Sequence, residues 1–138
     1  MCGEIDEQAQ IGQEMLERAR AMARRMKLPA TQGSGADPTG LAAPEGRVAY
    51  MEKVFQLGLA RALDDIARAE EDEMVDALAA QSIALARLAG FLAGQLPPEA
   101  DLFRAVIEAA SAGYAEPGEL VDASADHQHH HHHHDHHH

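Results

Sequence analysis

All ten histidines of this 138-residue chain lie in one stretch, His127 to His138, written His-Gln-His-His-His-His-His-His-Asp-His-His-His. Neutral imidazole is a borderline base that suits nickel, zinc and cobalt, with affinity following the Irving–Williams order. A run of such rings holds many ligand nitrogens at high local concentration, so several can chelate one ion without a prebuilt cage. The candidate metal ligands are His127, His129, His130, His131, His132, His133, His134, His136, His137 and His138. Asp126 and Asp135 add carboxylate oxygens that neutralise cation charge. No rigid geometry rejects the wrong metal, so the set is promiscuous. Protons and metal compete for the same nitrogens, so binding is expected near neutral pH and lost in mild acid.

The uninterrupted run His129–His134 has the length of a purification tag, a segment to be left out of fold reasoning. The flanking Asp126-His127-Gln128 and Asp135-His136-His137-His138 point instead to a natural His-rich metal-binding tract. In composition the tail resembles the His-rich extensions of nickel- and zinc-handling proteins. That likeness implies a metal buffer or chaperone. The alternative is a helical protein–protein interaction or dimerisation module, the polyhistidine being a tag or incidental.

The remainder of the chain offers little chemistry. It has no histidine to act as a base, and its single thiol, Cys2, sits at the N-terminus, so no enzyme is expected. Ser82 and Ser111 have no partner at a meaningful spacing. Gly33-Ser34-Gly35 has neither a lysine-bearing continuation nor a preceding strand, and is not a phosphate loop. The most suggestive cluster is Glu70-Glu71-Asp72-Glu73 with Asp76. In a continuous helix Glu70 and Glu73, or Asp72 and Asp76, would share a face. No histidine follows at the spacing of di-metal helical bundles, so a solvated acidic corner or helix junction is expected.

Charge narrows the partners. Eleven Lys and Arg against 23 Asp and Glu give a net charge of −12, which disfavours nucleic acid and favours solubility. One cysteine permits no intrachain disulfide and fits a reducing compartment. The start Met-Cys-Gly-Glu-Ile-Asp has neither a basic nor an apolar signal region, so a cytoplasmic location without a lipid anchor on Cys2 is expected. No organic cofactor is indicated.

The elements that must position the tail read as helices. Residues 1–28 form an N-terminal amphipathic helix, with Ile11, Met15, Ala19, Met22 and Met26 on one stripe. Its first turn is acidic, its second half carries Arg18, Arg20, Arg24, Arg25 and Lys27, and Pro29 stops it. The Pro- and Gly-rich residues 29–46 read as a flexible linker.

Residues 47–116 read as a helical core of three helices. The first, about Arg47 to Ala69, has a seam of Phe55, Leu59, Ala62, Ile66 and Ala69, widened by Leu63. The second, about Glu73 to Leu96, carries only Arg87 as a charge from Ala77 onward. A charge near mid-helix costs about 2.5–3.5 kcal/mol on membrane insertion, so a core or dimer-interface helix is expected and no membrane span. Ala86, Gly90 and Gly94 would let another backbone approach closely. The third starts at Pro98 with Glu99 and Asp101, carries Phe103, Val106, Ile107, Ala110 and Tyr114, and closes at Pro117-Gly118. Residues 117–138 read as a disordered tail with the polyhistidine tract. The expected fold is all-α, a small three- to four-helix bundle. Its apolar seams suit a protein partner or self-association.

Overall fold

The computed structural model describes residues 3–29 and 35–129, with side chains over 9–29 and 35–120. Its order is α1 (Gly3–Arg25), α2 (Pro44–Arg68), α3 (Met74–Ala93) and α4 (Leu102–His129), with 3-10 turns at Glu71–Glu73 and Pro98–Ala100. The chain has the all-α, helical-bundle character expected, and no strand occurs among the described residues. It divides into two units, Met1–Arg87 and Leu88–His138, the division falling within α3.

In the first unit α1 stops before Pro29 by its own capping. The Leu28 amide donates to the Ala23 carbonyl at 2.9 Å and the Lys27 amide to the Arg24 carbonyl at 3.0 Å. This is the Schellman pattern, and it places Lys27 in the left-handed region at φ 55°. Glycine is the usual residue there, because a side chain costs on the order of 1 kcal/mol.

A second turn prepares α2. Gly40 has φ 69°, the Ala43 amide donates to its carbonyl at 3.3 Å, and Pro44 opens the helix. The Arg47 guanidinium donates to the carbonyls of Leu41 (3.0 Å) and Ala42 (3.3 Å), tying the turn to the helix it precedes. A Cβ on Gly46 would collide with the Gly40 carbonyl, so only glycine permits this approach. Helix α2 thus begins a few residues earlier than Arg47, inside the segment expected to be linker.

Helix α2 ends because Ala69 and Glu70 are extended, at ψ 150° and 151°, before the 3-10 turn. The Gln81 amide donates across to the Ala62 carbonyl at 3.4 Å, pairing α2 with α3. Near that bond Ala62, Asp65, Ile66, Ala77 and Gln81 are half-buried.

The central-core expectation for α3 is overturned. Leu78, Ile83, Leu85, Leu88 and Leu92 are each at least half exposed, and Ala93, at 7% exposure, is the one buried residue among those described. The length and apolar character of this helix show that it needs a cover. They do not show that the same chain supplies it.

In the second unit α3 closes on Gly94, Gln95 and Leu96, whose amides return to Gly90, Leu92 and Ala93. Pro98–Ala100 is a 3-10 turn rather than the first turn of α4. Asp101 follows at φ 52°, a conformation aspartate tolerates better than most residues, and α4 begins at Leu102. Helix α4 then continues through Pro117 to His129, past the end expected near Tyr114. An interior proline removes one amide donor and costs about 3 kcal/mol, which shortens a helix only where the flanking residues propagate poorly. Here Ala115, Glu116, Glu119 and Leu120 are good helix formers.

Candidate functional site

The predicted ligands fall mostly beyond what the structure describes. The backbones of His127 and His129 lie at the end of α4. His130 to His134, Asp135 and His136 to His138 lie outside the described residues, as does Cys2. The expected disordered tail falls there too from residue 130 onward. No group of three or more His, Cys, Asp or Glu placed to hold a metal occurs among the described residues.

The acidic corner is open. Glu70, Glu71, Asp72, Glu73 and Asp76 are all exposed. Glu70 is extended at ψ 151°, so it does not share an α-helical face with Glu73. The extended residue therefore removes that shared face, because convergence at this spacing depends on unbroken helix periodicity.

Ion pairs seen in the structure are local. They join Arg20 to Glu17 (3.4 Å), Arg61 to Asp65 (4.0 Å), Arg68 to Asp64 (3.2 Å) and to Asp65, and Arg104 to Asp101 (3.6 Å). Each of these links positions three or four apart, on side chains that are exposed except for the half-buried Asp65. Such pairs contribute at most about 1 kcal/mol and organise no site.

Apolar surface is the dominant feature. Along α2, Val48, Met51, Phe55 and Leu59 continue the stripe that carries Ala62 and Ile66. The first four are 62%, 60%, 54% and 46% exposed. On α4, Phe103 is 62% and Tyr114 91% exposed, although Leu102 and Val106 on the same helix are half-buried. Apolar side chains exposed in a row along one helix leave a face that a monomer in water would gain by covering.

The close-approach residues behave differently from expectation. A Cβ on Gly90 would meet nothing within 4 Å, and one on Gly94 only carbonyls of its own turn, Gly90 at 3.4 Å and Phe91 at 3.6 Å. No second helix backbone therefore rests on this surface within the described chain. A shallow depression of about 390 Å³ lies in the second unit, lined chiefly by Gly90, Ala93, Leu96, Pro97 and Phe103. Its charged member, Asp101, is paired with Arg104, so it presents no convergent reactive groups. Sequence reasoning missed this depression, which arises only where the Pro97-Pro98 turn returns the chain onto α3.

The segment Glu71–Ala93 is long and apolar enough to cross a membrane by length and composition, and it contains an 18-residue window with a mean hydropathy of 1.4. No family model, curated protein or solved structure matches the chain.

Proposed function

We propose that this chain binds divalent transition metal, nickel, zinc or cobalt, through His127, His129–His134 and His136–His138, and serves as a metal buffer or chaperone rather than an enzyme. One observation carries the reading: every histidine of the chain is confined to its last twelve residues, where Asp126 and Asp135 flank or interrupt the run. A ligand set so dense binds without help from a folded cavity, and a helical body would hold it clear of other surfaces. The reading needs no organic cofactor, nucleic acid or membrane, and it suits a reducing cytoplasm in which the one thiol stays free.

Calorimetric titration of Ni²⁺ and Zn²⁺ tests it, using the full chain, a version ending at Ala125, and an unrelated domain bearing the same final residues. Binding by the full chain should be tighter or more selective than by the carrier, absent from the shortened version, and lost in mild acid. Equal binding by chain and carrier would reduce the tail to an ordinary chelating run and end the case for metal handling.

A second reading has its own support: a helical association module acting through its apolar seams. The uncovered stripe Val48, Met51, Phe55 and Leu59 favours it. Both readings hold together if association brings two tails side by side and raises their joint affinity.

A further inference from the structure

We propose that the uncovered α2 stripe is covered by the same stripe of a second copy of this chain, in a two-fold pairing that sets the basic end of α1 in each copy against the acidic corner at 70–76 of the other. The inference rests on the association reading, not on metal binding.

The stripe supplies the driving force. Val48, Met51, Phe55 and Leu59 recur at helical spacing and stay open to water, although Ala62 and Ile66 further along the same stripe are half-buried beside Gln81. Closing the open half against an equivalent face removes apolar area from water, which is the main favourable term in association.

Charge selects the occupant. At a net charge of −12 two copies repel in most orientations. Five of the eleven basic residues nevertheless fall between Arg18 and Lys27, and the longest acidic run is Glu70–Glu73 with Asp76 nearby. Arg24, Arg25 and Lys27 are exposed, as are those five acids, and neither group forms an ion pair among the described residues. A basic partner would satisfy only the acidic corner, and an acidic partner only the end of α1. A second copy satisfies both, and two-fold symmetry repeats the match.

Two variants test this in the full chain: Arg24→Glu with Arg25→Glu, and Glu71→Arg with Asp72→Arg. Sedimentation velocity of the wild type should show a dimer that weakens as salt rises from about 0.05 M to about 0.5 M. Either variant alone should associate on the order of tenfold or more weakly, because like charges then face one another at both contacts. Mixed in equal amounts they should form a one-to-one dimer, since each restores the complement the other lost. Adding Phe55→Glu to both should abolish that recovery.

A wild type that stays monomeric at every concentration overturns the association reading, and this inference with it. Unchanged dimers in both variants leave association standing but remove the charge pairing. Weakening without recovery on mixing assigns the charges to contacts within one chain and overturns the proposal. So does partition of the wild type into phosphatidylcholine vesicles in place of dimerisation, an outcome that would give Glu71–Ala93 a membrane.

Discussion

The two halves of the α2 stripe share one sequence pattern and have different fates. Near the turn into α3, Ala62 and Ile66 are half-buried and Gln81 donates to the Ala62 carbonyl. Toward the start of the helix, Val48, Met51, Phe55 and Leu59 face water. The same periodicity runs through both, so periodicity names the face that wants cover without naming what covers it. The half beside the turn is covered because a short connection forces the next helix alongside.

The comparison can be broken at the open half first. Gly46→Ala places a methyl against the Gly40 carbonyl and should cost about 1–3 kcal/mol by displacing the turn that starts α2. Thermal unfolding followed by circular dichroism would show a lower midpoint and less helix. An unchanged midpoint would mean that the turn is not tied to the helix.

A matched pair of truncations sharpens the contrast. Ile66→Ala should destabilise by about 1–2 kcal/mol at any protein concentration, a reduced version of the cost at a fully buried site. Leu59→Ala should cost little in dilute solution and progressively more as concentration rises, because its cover comes from outside the chain. Equal, concentration-independent losses at both positions would erase the difference between the two halves.

The smallest effect belongs to the polar side of the same helix. Arg68→Ala removes pairs with Asp64 and Asp65 that are largely solvated, and should change stability by under about 0.5 kcal/mol. A larger loss, measured by denaturant unfolding, would show that charge on this face contributes to the packing of the α2–α3 pair.

Much of the helical layout was legible without coordinates. Stripes at three- and four-residue spacing located α1, α2, α3 and α4, because a helix must place such residues on one face. Boundaries were less legible. Pro29 suggested where α1 stops, but the hydrogen bonds of Lys27 and Leu28 stop it sooner. Pro117 suggested where α4 stops, yet the helix formers around it carry the backbone on to His129. Each of these outcomes depends on hydrogen bonds competing over several residues, and a single residue type does not report that competition. The histidine tract was wholly legible as chemistry, and its residues from His130 onward have no described geometry to compare.

Residue order alone determined that the chain is helical, where its apolar stripes run, and that all of its histidines are gathered between His127 and His138. Those properties depend on neighbours within a turn or two. Tertiary structure decided that the acidic corner is exposed, that no backbone rests on Gly90 among the described residues, and that Ala93 is buried while Leu78, Leu85, Leu88 and Leu92 are not. Burial is a property of pairs of surfaces, and one helix's sequence specifies only one member of each pair.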